Sequence, residues 1–201
     1  MSKLKLIALR RLTICSLFVI AELLFLAGCA ISHKYGPYYG KVIDSATKQP
    51  IEGAAVLVVY NTEHWGLAGS VTHFADAQET LTDKNGEFRI PAKRVNTFRA
   101  LSGWELFPQV IIFKPGYGCY PRHKDVKPMF TPNGTLPSNQ YVTVELPNVQ
   151  NEPRRARLEN YGCYPTGMVP TKKYEKLFAL IQQERMDIGL EPRKMPKRRR
   201  R

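Results

Sequence analysis

Two cysteines in a repeated motif are the residues whose type and spacing most suggest chemistry. The pentapeptide Tyr-Gly-Cys-Tyr-Pro occurs twice in this 201-residue chain, at 117–121 and at 161–165, and contains Cys119 and Cys163. Two such cysteines could form a disulfide, remain free thiols or bind a metal. Metal or redox chemistry has little support, because the chain has no Cys-x-x-Cys motif and His123 is the only histidine near either cysteine. The choice between a disulfide and free thiols depends on the cellular compartment.

A second candidate site is a pair of histidines in a glycine-containing segment. His64 and His73 flank this segment and could bind a metal together with Asp76 or Glu79. The alternative, which we favour, is a flexible loop with two exposed histidines, so we predict no metal and no cofactor. We also predict no catalytic residues. No glycine-rich phosphate loop leads from a strand into a helix, and no Ser, His and Asp set has a diagnostic context.

The N-terminus has the layout of a secretory signal. The stretch MSKLKLIALRR carries four cations and no acid, and the apolar stretch LTICSLFVIAELLFLAG follows it with Glu22 as its only charge. A membrane-spanning anchor is the alternative, but an ionised Glu22 at the centre of a span would cost about 2.5 kcal/mol or more. The sequence Leu-Ala-Gly-Cys, which ends at Cys29, resembles the lipobox of bacterial lipoproteins.

This resemblance implies that Cys29 becomes the lipidated first residue of the mature chain. Its thiol would take a diacylglycerol through a thioether, and residues 1–28 would be removed. Several acyl chains, palmitate among them, would make attachment to the membrane effectively permanent. Ala30 stands where an aspartate would favour the inner membrane, so the resemblance implies an outer-membrane lipoprotein that faces the periplasm. Residues 29–37 would then form a tether.

Lipidation would also decide the state of the repeated motif. Cys15 would leave with the signal and Cys29 would carry lipid, so Cys119 and Cys163 would remain as a pair in an oxidising compartment. An even pair there favours a disulfide over free thiols or a metal. Closing a loop of about 44 residues would stabilise the fold by about 4 kcal/mol in the chain-entropy model.

Residues 38–149 alternate short apolar runs with turn residues. The runs YYGKVID, GAAVLVVY, EFRIPA, FPQVIIFKPGY and QYVTVELP have the length and β-branched character of strands, and Gly, Pro and Asn lie between them. Strands at intervals of about ten residues predict an all-β sandwich. Periodicity alone also allows a barrel.

The same region resembles the carboxypeptidase regulatory-like domain, a transthyretin-like (prealbumin-like) β-sandwich. The resemblance lies in the strings GKVIDSATKQPIEGAAVLV, TLTDKNGEFRIPA and VIIFKPGY, in that order. It implies an all-β, Greek-key β-sandwich at 38–149, with insertions at 61–79 and 95–104 relative to the family. Such insertions are where a specific function would be added to the scaffold.

The resemblance implies a folding, docking or sugar-binding module, and no peptidase domain accompanies it. Two enzymatic relatives of the fold lack support. A hydroxyisourate hydrolase would end in Tyr-Arg-Gly-Ser, whereas this chain ends in PKRRRR. An intradiol dioxygenase needs a His-x-His motif, which the four histidines do not form. We therefore expect a non-enzymatic protein.

Residues 150–190 are predicted to form a helical extension. The apolar residues at helical spacing on one face are Tyr174, Leu177, Phe178, Ile181 and Ile188. We favour packing of this face on the sheet over binding of a partner. Thr171 could cap the start of the helix, and Gly189 could end it.

Residues 191–201 are predicted to be a disordered basic tail. Removal of the signal would lower the formal net charge from +13 to +10, and seven of these charges lie in the final nine residues. We expect an anionic lipid, lipopolysaccharide or cell-wall polymer as the partner of the tail, and no nucleic acid, because an exported lipoprotein rarely meets any. The cations expected to bind the anionic surface are Arg193, Lys194, Lys197, Arg198, Arg199, Arg200 and Arg201.

Two functional hypotheses follow from these observations. The first is a lipid-anchored, non-enzymatic module of the cell envelope that presents its loops to a protein or glycan partner. The second is a small metal-dependent envelope enzyme that uses His64 and His73.

Overall fold

A computed structural model of the chain describes residues 13–19, 32–66, 69–97, 102–128, 131, 134–153, 157, 162–166 and 168–193. Residues 13–19 are helical. No helix in these ranges is long and apolar enough to cross a membrane. The predicted lipidation site Cys29 and the predicted tail beyond Arg193 lie outside the described residues.

The described residues contain nine strands, which form three sheets. The strands are β1 (Ser32–Tyr35), β2 (Tyr38–Asp44), β3 (Ala55–Gly66), β4 (Gly69–Leu81), β5 (Glu87–Ile90), β6 (Lys93–Asn96), β7 (Ser102–Trp104), β8 (Gln109–Phe113) and β9 (Tyr141–Leu146). One sheet has the order β5-β2-β9, in which β2 and β9 are parallel. In the second, β3 pairs with β4 on one edge and with β8 and then β7 on the other. The third is the β1–β6 ribbon, so part of the predicted tether is a strand.

The two larger sheets pack face to face around one apolar core. Buried and more exposed residues alternate along β2 and β9, as expected for strands with one face against a core. Val42 and Val144 from one sheet share the core with Val56 and Ile112 from the other. The fold is therefore all-β and sandwich-like, as the strand pattern predicts.

The central strand β3 is buried on both faces, which explains its unbroken apolar sequence. Val56 and Val58 belong to the core between the sheets, while Leu57 and Val59 pack on the other side with the C-terminal helix. All four side chains are fully buried. A strand covered on both faces does not alternate, so the sequence AVLVVY is continuous.

The C-terminal helix spans Glu175–Asp187 and follows a short 3₁₀ turn at Thr171–Lys173. The five apolar residues predicted to form one face of the helix are all buried. The predicted cap at Thr171 is wrong, because Tyr174 occupies the N-cap position without a capping side chain. Gly189 does end the helix: its φ is +73°, and the bonds from Gly189 N–H to Met186 and from Leu190 N–H to Arg185 form a Schellman motif.

The described residues of 61–79 include most of the segment between His64 and His73, and they do not form the flexible loop predicted for that segment. They continue β3 and β4 as a long antiparallel pair that reaches Gly66 and Gly69, with one register shift beside Asn61. Pairing between the two strands satisfies the backbone of residues whose polar side chains suggested a loop. The second predicted insertion, 95–104, contains the end of β6 and the whole of β7.

Candidate functional site

The repeated pentapeptide forms a disulfide that joins the C-terminal segment to the sandwich. Cys119 and Cys163 are bonded, with their Cα atoms 6.0 Å apart, and both are buried. They lie in the apolar cluster between β3 and the C-terminal helix, beside Phe113 and Leu177. The disulfide predicted from the sequence is therefore present.

A buried carboxylate reinforces this junction. Glu184 of the helix accepts a hydrogen bond from the Gly116 backbone N–H at 2.8 Å, just before the first pentapeptide. The Arg157 guanidinium donates two further bonds to the same carboxylate, at 3.0 and 3.1 Å. The apolar pattern of the helix did not predict a role for Glu184, although its spacing from Ile181 and Ile188 places it on the apolar face.

A second carboxylate holds the start of the helix. Glu79 of β4 accepts the backbone N–H groups of Lys176 and Leu177 at 2.9 and 2.6 Å. These are amides that a helix leaves without internal partners, and a carboxylate also suits the positive end of the helix dipole. Burial raises the pKa of Glu79, and the two amides limit the rise. This contact replaces the cap that we expected from Thr171.

A cleft of about 810 Å³ lies where the helix no longer covers the four-stranded sheet. Its floor is formed by Asn61 and Glu63 of β3 and by Phe74 and Thr72, their partners on β4. Alternation along β3 places Asn61 and Glu63 on the same face as Val59, beyond the helix. The floor therefore belongs to the segment 61–79 that the sequence marks as an insertion.

The end of β7, the start of β8 and several loops form the walls of the cleft. The segment after β7 contributes Glu105, Leu106 and Phe107, the first pentapeptide contributes its final residue, and the residue directly after each pentapeptide also lines the wall. The residues that line the walls are Gly103, Trp104, Glu105, Leu106, Phe107, Pro108, Gln109, Pro121, Arg122, Thr131, Thr135 and Thr166. Elements far apart in the sequence thus meet around one concavity.

The wall next to the disulfide is held by side-chain hydrogen bonds. Arg122 donates to the carbonyl oxygens of Gly162 and Tyr164, the latter at 3.2 Å. The backbone N–H and the hydroxyl of Thr166 both donate to Gln109 Oε1 at 3.1 Å. Together with the disulfide, these bonds hold the residue after the first pentapeptide against the second pentapeptide, and the residue after the second against β8.

Two glutamates give the cleft its electrostatic character. Glu105 accepts a hydrogen bond from Asn61 Nδ2 at 2.8 Å. Burial raises the pKa of the Glu105 carboxyl, the bond from Asn61 opposes this rise, and the charge of Glu63 adds to it. Among the described residues, neither Glu63 nor Glu105 forms an ion pair with a Lys, Arg or His side chain.

The rim of the cleft carries exposed apolar side chains. Leu106 is 73% exposed and Phe107 is 59% exposed, and both line the opening. Phe74 on the floor is only partly buried, against the cluster beneath the helix. The cleft therefore offers aromatic surface next to amide, hydroxyl and carboxylate groups. The run Trp-Glu-Leu-Phe-Pro at 104–108, which places apolar residues around Glu105 at the end of a predicted insertion, is the sequence feature that marks one wall of this site.

The predicted histidine site lies on the other face of the β3–β4 pair. His73 is opposite Thr62 and His64 is opposite Val71, so alternation separates both histidines from Glu63. The carboxylates considered as further ligands have other partners: Asp76 binds Lys93 and Lys173, and Glu79 binds the helix. No group of three or more His, Cys, Asp or Glu residues that could hold a metal occurs in the described part of the chain.

The described end of the basic segment lies on the second pentapeptide. The Arg193 guanidinium carbon is 5.6 Å from the centre of the Tyr164 ring, a cation–π contact. The remaining residues predicted to bind an anionic surface lie outside the described residues, and they are Lys194, Lys197, Arg198, Arg199, Arg200 and Arg201.

Comparison with protein-family models, curated proteins and solved structures finds no match to the chain.

Proposed function

We propose that this protein is a lipid-anchored, non-enzymatic binding module of the bacterial cell envelope, and that its cleft binds a glycan. The anchor is Cys29 and the location is the periplasmic side of the outer membrane, an assignment supported by the resemblance of Leu-Ala-Gly-Cys to a lipobox. The basic tail binds anionic lipid or polymer at the same surface.

The scaffold in this proposal is a Greek-key, transthyretin-like sandwich. Its support is the resemblance of residues 38–149 to the carboxypeptidase regulatory-like domain, together with two packed sheets of three and four strands. Both segments that depart from that family, 61–79 and 95–104, contribute residues to the cleft. An added function at the insertions is what the resemblance implies.

The lining of the cleft is the observation that carries glycan binding. Sugars present apolar C–H faces beside several hydroxyls, so they suit aromatic surface flanked by hydrogen-bonding groups. Phe74 and Phe107 supply the aromatic surface, and Asn61, Gln109 and Thr72 supply donors and acceptors. The volume of about 810 Å³ is within the range of roughly 300–1,000 Å³ that is typical of sites for small ligands.

Binding to an array of envelope oligosaccharides tests the proposal, with the purified lipoprotein in detergent. Phe107→Ala removes an exposed ring from the rim and should weaken binding about fivefold, since an aromatic contact is worth about 1 kcal/mol. Tyr141→Ala is the matched control, because Tyr141 is 52% exposed but lies on β9 in the other sheet. Absence of binding to every oligosaccharide, or equal losses in both variants, would refute the proposal.

A further inference from the structure

The charged side chains of the cleft differ in whether they have oppositely charged or hydrogen-bonding partners. Glu63, Glu105 and Arg122 are the charged residues that line it. Arg122 directs its guanidinium to the carbonyl oxygens of Gly162 and Tyr164 in the wall. The two glutamates have no cationic partner among the described residues, and one of them, Glu105, has only Asn61 as a side-chain hydrogen-bond donor.

Two carboxylates in a partly enclosed cleft repel each other unless a cation lies between them. Glu63 is opposite Gly103 in the register of β3 and β7, and the backbone N–H of Glu105 donates to the carbonyl oxygen of Asn61, so Glu63 and Glu105 are diagonal neighbours across the two segments. The charge of Glu63 accordingly makes Glu105 harder to ionise. A ligand ammonium would relieve that repulsion by donating hydrogen bonds to both carboxylates. Hydrogen bonds of the N⁺–H···O⁻ type are about twice as strong as neutral ones.

The aromatic floor also suits a cation with a carbon skeleton. Phe74 lies opposite Asn61 in the strand register, on the same face as Glu63. An ammonium near such a ring is attracted to its face by a cation–π interaction, and the attached carbons gain apolar contact. A bare metal ion would gain no such contact and would lack a third acidic ligand among the described residues.

We infer that the ligand of the cleft is a glycan with free amines, and that one ammonium binds between Glu63 and Glu105. This inference rests on the proposed glycan binding and specifies its chemistry. The enclosed shape favours a thin chain of sugar units over a broad protein surface. Phe107 at the rim packs against the sugar unit that carries the amine.

Calorimetric titration of the full lipoprotein with a glucosamine tetrasaccharide and with its N-acetylated counterpart tests the inference. Acetylation removes the charge and keeps the sugar chain. At pH of about 6, where the amines are protonated, the free-amine form should bind at least tenfold more tightly. Glu63→Gln and Glu105→Gln should each lower that preference about tenfold, whereas Glu52→Gln, an exposed carboxylate in the turn before β3, should leave it unchanged.

Glu105→Gln retains a carbonyl oxygen for Asn61, so the variant should keep its thermal stability. As a second measurement, the preference should disappear as pH falls through the raised pKa of Glu105, because the carboxylates then lose their charge.

The outcomes separate the inference from the proposed function. Equal or tighter binding of the N-acetylated chain would overturn the amine inference and leave glycan binding intact. If neither tetrasaccharide binds and the oligosaccharide array is also negative, both the amine inference and the proposed glycan binding would be overturned. Tighter binding of a lysine tetrapeptide than of the glucosamine chain would assign the cleft to peptides instead.

Discussion

Single carboxylates that are wholly or partly buried hold distant parts of this protein together. Glu184 connects the C-terminal helix to Arg157 and to the backbone before the first pentapeptide. Asp76 similarly accepts from Lys93 at 2.5 Å and from Lys173 at 2.7 Å, and so joins β4 to β6 and to the 3₁₀ turn. Each of these residues accepts hydrogen bonds from two separate segments, so its replacement should weaken the attachment of both segments.

Removal of Arg157 should be costly because it leaves Glu184 buried without its charge partner. We expect Arg157→Ala to lower the free energy of unfolding by about 3 kcal/mol. The control Arg89→Ala, an exposed arginine on β5, should change it by no more than about 0.5 kcal/mol. Urea titration monitored by circular dichroism measures both values. Equal effects of the two substitutions would contradict a role for the ion pair.

Asp76 should make the free energy of unfolding depend on pH in the acid range. Burial alone would raise its pKa, but hydrogen bonds from Lys173 and Lys93 hold it below the ordinary value. Its contribution is therefore present at neutral pH and is lost as pH falls below about 4.

Asp76→Asn should consequently lower the free energy of unfolding by about 1–2 kcal/mol at pH 7 and by less at pH 3. Urea titrations at both pH values measure this difference, with the exposed Asp187→Asn as control. A loss of the same size at both pH values would show that the charge of Asp76 is not involved.

At the scale of elements, the C-terminal helix is attached in four ways. Its apolar face covers β3, Glu79 binds its first turn, Glu184 binds Gly116 and Arg157, and the disulfide lies beside it. The hydrophobic contacts cover the helix broadly, while the disulfide limits how far the segment can separate when those contacts open. The wall of the cleft formed by Arg122 and Thr166 depends on the same attachment.

Loss of the disulfide should destabilise the protein and expose its C-terminal segment. We expect the double variant Cys119→Ala and Cys163→Ala to lower the free energy of unfolding by about 4 kcal/mol, for a separation of 44 residues. Residues after Pro147 should also be cleaved faster by a protease. Mass mapping of a non-reduced digest of the wild type should show the two pentapeptides linked. Detection of two free thiols in protein isolated from the envelope would contradict this prediction.

Local signals predicted many of these elements, and long-range contacts account for what they missed. The DKNG turn is confirmed, since Gly86 has a φ of +75° and leads directly into β5. The apolar helix face could be predicted from the sequence because its spacing depends only on helix geometry. The cleft could not be predicted, because Glu63, Glu105, Arg122 and Thr166 come together only after four separate segments have folded. The strands at 61–79 were hidden by polar side chains on both faces.

At the scale of the whole molecule, a strand from the start of the sandwich sequence pairs with a strand from its end. β2 lies parallel to β9, and Tyr39 is paired with Tyr141, although most of the domain sequence lies between them. Such non-local pairing requires a large loop to close before it is stabilised, which slows folding relative to local hairpins. The sheet β5-β2-β9 is therefore complete only when the whole of residues 38–146 is available.

Attachment to the membrane can be tested on the complete chain. Cys29→Ser should abolish lipidation, so the precursor should keep residues 1–28 and show no mass increase from acyl chains. Cys15→Ser should mature normally, because that cysteine lies within the predicted signal. Intact-mass measurement of membrane fractions distinguishes the two variants. Normal processing of the Cys29→Ser protein would remove the basis for the lipid anchor.

The early start of β1 would limit how far a form of the protein lipidated at Cys29 could stand from a bilayer. Ser32 is only three residues beyond Cys29, and its strand is already paired with β6. Three Cα–Cα steps of about 3.8 Å reach at most about 11 Å. A lipid on Cys29 would hold the β1–β6 ribbon against the headgroup layer, because no long linker would separate the ribbon from the lipid. Any polymer bound in the cleft would then be kept within one domain's diameter of the membrane.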